Sequence, residues 1–286
     1  MTAAGRFYAV LLSVGLPIWV FAQGMPADLL PSRQILAEIR AHEDGVAVWW
    51  TGHNGWLIKA GGVLLGTDLV LEAADRIQRS PVTTAELAGE LDISFVTHEH
   101  GDHFNNKVSR ELARSSDCMF VVPQNCVAKA RELGIPEDRI RVAVPGEPFE
   151  IQGVRVLPIR ALHGHKQFSL HSKANFEDCG YLITIGGKTF LQPGDSILLQ
   201  DHLELENVDV LFFSPTEHNM HIRQSVILIN ELEPDYILPQ HRDTYRQTPE
   251  NRYWANGYPV EVRTHLSRTL QERYHILEQG ECLLVK

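Results

Sequence analysis

Residues 91–103 read Leu-Asp-Ile-Ser-Phe-Val-Thr-His-Glu-His-Gly-Asp-His, and this stretch decides both the fold class and the kind of site that we expect. Its first half is rich in apolar residues typical of a buried strand. Its second half places His98, His100, Asp102 and His103 within six residues. Imidazole nitrogens and carboxylate oxygens are the donors that divalent ions such as zinc prefer. The stretch therefore predicts a metal site on a loop at the end of a strand.

Three further donors each follow a short β-rich run, as the first cluster does. They are His163 after residues 154–159, Asp195 after residues 190–194 and His241 after residues 236–240. One ion needs three or four ligands, so these donors and the first cluster together predict more than one metal position. His165 is an alternative to His163. We favour His163, because it lies closer to the end of the strand at residues 154–159. The remaining histidines considered lack such a context, and we predict that they are surface residues: His171, His202, His221, His265 and His275.

Two pairs of segments in the chain resemble each other. Residues 55–62 (Gly-Trp-Leu-Ile-Lys-Ala-Gly-Gly) match residues 180–187 (Gly-Tyr-Leu-Ile-Thr-Ile-Gly-Gly). Each segment continues to an aspartate, Asp68 or Asp195, and each Gly-Gly pair predicts a hairpin turn. Residues 91–100 are echoed by residues 208–218. Because both matches occur in the same order, they predict two related halves.

The rest of the chain alternates β-rich and helical patterns, which indicates an α/β fold of sheets covered by helices. We expect an amphipathic helix between Pro26 and Asp44, and one domain from residue 46 to residue 286. Strands are predicted in 46–51, 56–60, 63–67, 93–97, 154–159, 181–185 and 208–213. Helices are predicted in 107–114, 126–133 and 222–232.

The first 22 residues have the pattern of an export signal. Arg6 is the only charged side chain among the first 27 residues, and an apolar run of about 16 residues follows it. That run is short for a membrane span, which needs about 20 residues. We expect cleavage after Ala22, a short lead-in over residues 23–45 and a periplasmic or secreted protein without a stable membrane span.

Composition limits the partners. The chain has 286 residues and a formal net charge of −10, so no basic surface is expected for nucleic acid. Four cysteines lack metal-binding spacing, and whether they form disulfides stays open: Cys118, Cys126, Cys179 and Cys282. A small-molecule or lipid-like substrate is the expected partner, and the oligomeric state is left open.

The spacing His98-x-His100-x-Asp102-His103, with His163, Asp195 and His241 downstream, resembles the metallo-β-lactamase superfamily. Within it, residues 51–55 (Thr-Gly-His-Asn-Gly), the hairpin leading to Asp68 and residues 238–241 (Leu-Pro-Gln-His) resemble one branch. That branch contains the ascorbate-phosphate lactonases and N-acyl-phosphatidylethanolamine phospholipase D.

The resemblance implies a four-layer αββα sandwich of two similar halves, which agrees with the internal repeat. It also implies two divalent ions, which we expect to be Zn²⁺, with Mn²⁺ or Fe²⁺ as alternatives. One ion would be held by His98, His100 and His163. The other would be held by Asp102, His103 and His241, and Asp195 would bridge them.

Such a site implies a hydroxide shared by the two ions, which would cleave an ester, lactone or phosphodiester bond. Asp102 is the candidate for orienting the water or accepting its proton. His53 is a candidate for positioning the substrate from the rim, and a purely structural histidine is the alternative. His218 is expected to line the mouth of the site without binding metal. Asp68 is expected to hold the loop or a histidine ligand.

Other functions are weighed against this one. A β-lactam hydrolase and a non-catalytic metal-binding protein on the same scaffold remain alternatives. Asp195 stands where some β-lactamases have a cysteine ligand, which weakens the first alternative. A redox enzyme would be expected to carry a flavin domain, for which the chain has no phosphate-binding loop or spare length. Four aromatic residues could form an apolar pocket wall or pack in the core: Trp49, Trp50, Trp56 and Phe104.

Overall fold

A computed structural model describes residues 33–166 and 169–286. The predicted export signal and the first part of the predicted lead-in helix, residues 26–32, lie outside these residues. The strands in the described part of the chain are β1 (Val46–Gly52), β2 (Gly55–Ala60), β3 (Val63–Thr67), β4 (Ile93–Phe95), β5 (Met119–Pro123), β6 (Ile140–Ala143), β7 (Phe149–Ile151), β8 (Val154–Arg160), β9 (Cys179–Ile185), β10 (Lys188–Gln192), β11 (Val210–Phe213), β12 (Tyr236–Pro239) and β13 (Cys282–Val285).

The helices in the same part of the chain are α1 (Leu36–Ala41), α2 (Thr84–Leu87), α3 (Asn106–Ser115), α4 (Val127–Glu132), α5 (Gln200–Leu203), α6 (His221–Leu232), α7 (Arg252–Ala255), α8 (Pro259–Thr264) and α9 (Arg268–Glu272). Among the described residues, none of these helices is long and apolar enough to cross a membrane.

The strands form two mixed sheets. The first has the order β13-β1-β2-β3-β4-β5-β6, and the second has the order β12-β11-β10-β9-β8-β7. In the first sheet β2 and β3 are antiparallel, and β4 and β5 follow in parallel. In the second sheet β9 and β10 are antiparallel, and β11 and β12 follow in parallel. The two related halves predicted from the repeat are therefore confirmed.

Both hairpins turn at the predicted Gly-Gly pairs. Gly61 and Gly62 have φ of 58° and 83°, and Gly186 and Gly187 have φ of 58° and 77°. Two successive residues at positive φ are costly for any residue with a Cβ atom. They give the turn that matches the twist of the flanking strands.

The apolar side chains sort into layers because successive residues of a strand face opposite sides of the sheet. Along β1, Ala47 and Trp49 pack with the helices α1 to α4, whereas Val48 and Trp50 face the second sheet. The outer face of the second sheet packs against α6, α8 and α9. This order of helices, two sheets and helices is the predicted four-layer sandwich.

The lead-in helix differs from its prediction. Among the described residues it spans only Leu36–Ala41, with Ile35 and Ile39 fully buried against the first sheet. It ends at Ala41 because the backbone of His42 is already extended, at a φ of −80° and a ψ of 108°. Gly45, at a φ of 76°, then turns the chain into β1. The predictions also named no strand at 282–285, where β13 pairs antiparallel with β1.

The sheets bring their chemistry-bearing loops to one edge, because the carboxyl ends of parallel strands lie together. Residues 97–103 follow β4, and residues 214–218 follow β11. Three of the donor residues come directly or shortly after a strand: Asp195 after β10, His241 after β12 and His163 after β8.

Candidate metal centre

The structure brings all seven predicted metal donors together. The donor atoms of His98, His100 and His163 lie within 4.8 Å of one another, and Asp195 shares such a group with His98 and His103. In a second group the donor atoms of four residues also lie within 4.8 Å of one another: His53, Asp102, His103 and His241.

Asp195 stands between these groups. Its Oδ2 lies 3.1 Å from Nε2 of His241, 3.4 Å from Nε2 of His103 and 3.6 Å from Nε2 of His163. Its Oδ1 accepts hydrogen bonds from the side-chain amides of Asn54 (3.1 Å) and Asn219 (3.0 Å). The carboxylate is thus fixed from both sides and has one oxygen directed at the histidines.

Asp68 fixes the loop that follows β4. Its carboxylate accepts hydrogen bonds from the backbone N–H of Thr97 (2.8 Å) and from the Thr97 hydroxyl (2.7 Å). Its Oδ2 also lies 2.9 Å from Nδ1 of His103, so Nε2 of that ring is left to face the centre. This is the supporting role expected for Asp68 from the sequence, and carboxylates commonly orient histidine ligands in this way.

The donor set fits divalent ions. Nε2 of His103 and Nε2 of His163 are buried and lack a hydrogen-bond partner. Buried polar atoms seldom lack a partner without a functional or solvent explanation. Imidazole nitrogens and carboxylate oxygens converging in this way suit zinc, manganese or iron.

The charges around the centre favour a cation. Burial raises the pKa of Asp195, but the imidazoles of His241, His103 and His218 outweigh it and hold that pKa well below its usual range. For His103, burial lowers the pKa, whereas the carboxylates of Asp195, Asp68 and Asp102 raise it well above its usual range. A positive charge is therefore favoured beside these carboxylates, where a metal ion could supply it.

The two candidate catalytic histidines have different partners and different access to the cavity. Nε2 of His218 lies 2.7 Å from Oδ2 of Asp195, and its Nδ1 lies 2.9 Å from the Thr216 hydroxyl. His53 is only 1% exposed, and its Nε2 lies 3.1 Å from Oδ2 of Asp102. His218 lines the cavity next to the donors, whereas His53 does not line it and is buried, so His53 is not the rim residue that was predicted.

That cavity has a volume of about 370 Å³, within the usual range for small-molecule sites. His165 lies in its wall but in none of the donor groups, unlike His163. Tyr253 and Trp254, which the sequence analysis missed, form the aromatic part of the wall. They belong to the short helix α7 and follow no strand. The donors were identified because each follows a β-rich run, and that pattern does not identify residues of a helix.

Several sequence expectations need correction. His202 is fully buried in α5, with its Nδ1 accepting a hydrogen bond from the backbone N–H of Leu199, and is not a surface residue. His171 lies at the cavity, with its ring centre 4.9 Å from that of His100. Of the two alternatives given for the four aromatic residues, packing in the core is the one that the structure shows: Trp49, Trp50, Trp56 and Phe104.

Known proteins similar to this chain include metal-dependent hydrolases, which agrees with the donor cluster described above. A family model described as "Beta-lactamase superfamily domain" matches residues 47–241, a range that contains every donor named above. A UPF0173 metal-dependent hydrolase of Thermococcus kodakarensis is 26% identical over 226 residues, covering 76% of this chain and 95% of the relative.

Two solved structures are similar in fold. Igni18, a metallo hydrolase of the archaeon Ignicoccus hospitalis, has a TM-score of 0.64 at 19% identity, covering 83% of this chain and 97% of that chain. The isothiocyanate hydrolase from Delia radicum gut bacteria has a TM-score of 0.66 at 15% identity, covering 83% of this chain and 98% of that chain. At these identities the likeness concerns the fold alone.

Proposed function

The chain belongs to the beta-lactamase superfamily, as a metal-dependent hydrolase, and from that premise we propose that it uses two divalent ions to cleave an ester, lactone or phosphodiester bond. One observation carries the proposal. The Asp195 carboxylate lies within 3.6 Å of imidazole nitrogens from both donor groups, which is where a ligand shared by two ions would have to lie.

The two ions would divide the donors as the resemblance implies. His98, His100 and His163 would hold one ion, Asp102, His103 and His241 the other, and Asp195 both. We favour zinc, with manganese and iron as alternatives, because the donor set is rich in imidazole. When bound, such a pair supplies a water of lowered pKa and polarises the substrate.

The protein residues would then orient the reactants. Asp102 is about a third exposed, so its carboxylate reaches the cavity and can orient a water or accept its proton. The imidazoles of His103, His53 and His241 hold the pKa of Asp102 well below its usual range, although burial raises it. His218 lines the cavity and can hydrogen-bond an oxygen of the substrate through Nε2 if it turns from Asp195.

The substrate class is a small molecule or a lipid-like molecule. A second cavity of about 700 Å³ adjoins the first and shares His218 with it. Its walls include Leu198, Met220 and Ile227, and Lys166 and Arg223 also line it. The small cavity would hold the bond to be cleaved, and the larger one would accept an apolar chain with a nearby anionic group.

The same scaffold leaves the β-lactam hydrolase and a non-catalytic metal-binding protein as alternatives. The complete donor set argues against the second, because a protein without catalysis has no need to keep both groups. For the first, Asp195 in place of a cysteine ligand is the feature that counts against it.

We also propose that the protein is exported to the periplasm or secreted, after cleavage behind Ala22. The support is the single Arg6 and the apolar run that follows it. Mass spectrometry of the protein from its native host should find a chain that begins at Gln23. A chain that begins at Met1 would contradict cleavage.

Hydrolysis is tested with metal-depleted protein that is reloaded with zinc, manganese or iron. The probes are a γ-lactone, bis(p-nitrophenyl) phosphate, p-nitrophenyl esters of two to ten carbons and the β-lactam nitrocefin. We expect metal-dependent turnover of at least one of the first three classes, with His265→Ala as an unaffected surface control. Turnover of nitrocefin alone would favour the β-lactam alternative, and metal binding without turnover of any probe would favour the binding protein.

A further inference from the structure

The turn between β1 and β2 directs two side chains into the centre. It consists of Gly52, His53 and Asn54, followed by Gly55. A Cβ atom on Gly52, whose φ is 103°, would lie 2.9 Å from the Arg76 guanidinium, and one on Gly55 would lie 2.3 Å from the Thr51 hydroxyl. Both glycines are therefore required for this turn.

The backbone of His53 is held in place by three buried hydrogen bonds. Its N–H donates to the Thr244 hydroxyl (2.6 Å), and its carbonyl accepts from Nε1 of Trp50 (3.0 Å) and from the N–H of His241 (2.9 Å). His53 and His241 both have positive φ, at 55° and 57°. A non-glycine residue keeps this conformation only where its surroundings impose it, and such positions are common at functional sites.

The ring of His53 then lies among the donors assigned above to one ion. Its centre is 3.7 Å from the ring centre of His241 and 5.4 Å from that of His103. Its Nε2 lies 3.1 Å from Oδ2 of Asp102, and the donor atoms of all four residues fall within 4.8 Å of one another. A hydrogen bond to Asp102 accounts for one of these contacts but not for three imidazoles gathered around one carboxylate.

His218 provides the contrast. Its Nε2 also approaches a carboxylate, but its Nδ1 is paired with the Thr216 hydroxyl, and its donor group contains only His163 and Asp195. The contacts of His218 are those of a residue that positions Asp195 and faces the cavity. The contacts of His53 are those of a residue enclosed with Asp102, His103 and His241.

We propose that His53 is itself a ligand of the divalent ion held by Asp102, His103 and His241. This inference rests on the proposed two-ion site and adds a third imidazole to one of its two positions. With Asp195 included, that ion would have five protein donors, a number that zinc can reach in catalytic sites and that manganese and iron also accept.

The test is ¹¹³Cd NMR of the metal-depleted protein reloaded with ¹¹³Cd²⁺, with detection of the histidine ring protons coupled to each ion. We expect two cadmium resonances, each coupled to three histidines. His53→Gln should remove one histidine from one resonance only, and the matched variant His218→Gln should leave both counts unchanged.

Two other outcomes overturn the inference in distinguishable ways. Two resonances of which one is coupled to only two histidines in the wild-type protein would show that His53 positions Asp102 without binding the ion. A single resonance, or none, would contradict the two-ion site itself. Because the wild-type count decides the matter, failure of His53→Gln to fold would not remove the test.

Discussion

Asp68 and Asp195 follow the equivalent hairpins of the two halves of the molecule, and their carboxylates have different partners. Each follows the second strand of a hairpin that turns at Gly-Gly. The Asp68 carboxylate contacts Thr97 and Nδ1 of His103. Oδ2 of Asp195 instead faces Nε2 of His103 and Nε2 of His241. One half therefore builds and supports the donor loop, and the other half supplies the carboxylate at the centre.

The loops that follow show the same division. The loop after β4 carries four of the predicted metal donors, and the equivalent loop after β11 carries His218 and Asn219, which both contact Asp195. Duplication of a fold thus gives two equivalent strand ends, and the side chains placed there decide which one binds and which one supports.

The largest expected effect separates the two aspartates in activity. Asp195→Ala should lower kcat/KM on the substrate identified by the probe panel by on the order of 10³-fold or more, because the bridging position acts as a unit with the other donors. Asp117→Ala, on the surface, serves as the control. If Asp195→Ala retained a tenth of the wild-type kcat/KM, the proposed role of Asp195 as a ligand shared by two ions would be wrong.

A smaller effect is expected for the supporting aspartate. Asp68→Asn places an amide N–H₂ or a weaker acceptor opposite Nδ1 of His103, which disturbs the orientation of that ring. Metal affinity should fall by about 10- to 100-fold, as for other residues that orient a ligand. Competition with a chromophoric chelator measures this affinity. A loss as large as that of Asp195→Ala would erase the distinction between the halves.

The free energy of unfolding of the metal-free protein should depend on pH, both through histidines of the centre and through one histidine remote from it. Burial lowers the pKa of His53 and His163 to about 3, so both stay neutral in the folded protein while the unfolded chain takes up protons below about pH 6.5. The free energy of unfolding should therefore fall as the pH drops from 6.5 towards 3. Each histidine contributes about 1.4 kcal/mol per pH unit through that window.

His202 makes this comparison sharper. Burial lowers its pKa to about 4, but it lies in α5 and in none of the donor groups among the described residues. His202→Gln should reduce the acid sensitivity seen in urea unfolding and leave metal affinity unchanged. A change in metal affinity would show that the second half is coupled to the centre through α5.

The smallest effect concerns Thr67 and Gln192, which end the equivalent strands β3 and β10 and touch each other. Nε2 of Gln192 donates to the Thr67 hydroxyl (3.1 Å) and to Oε1 of Gln240 (3.0 Å). Thr67→Val should cost about 1 kcal/mol of unfolding free energy. Gln192→Leu should cost about 1 to 3 kcal/mol, because it removes both hydrogen bonds to Gln240 and the buried acceptor of the Gly194 N–H. Equal effects in thermal unfolding would contradict this ranking.

Much of this arrangement could be predicted because it follows from local periodicity. The Gly-Gly hairpins, the strand before His98 and the donors after later strands are all signals within about ten residues. The division into two halves followed from the repeat of 55–62 in 180–187.

The remainder depends on contacts between distant segments. His53 and Asp102 are 49 residues apart in the sequence, and they meet because β2, β3 and β4 are neighbours in the first sheet. Nothing in residues 51–55 alone shows that the ring of His53 is buried among the donors. Tyr253 and Trp254 approach the centre from α7, far along the chain. The sequence around His202 gives no sign that this side chain is buried, and only the packing of α5 shows it.

The central claim is that Asp195 joins two ions, and metal content measures it most directly. Elemental analysis of purified wild-type protein, Asp195→Ala and Asp68→Ala should be compared at equal protein concentration after dialysis, with folding confirmed by circular dichroism. We predict about two ions per chain for the wild type, at most one for Asp195→Ala and an intermediate value for Asp68→Ala. Fewer than one ion in the wild type, or a content that Asp195→Ala leaves unchanged, would contradict the account.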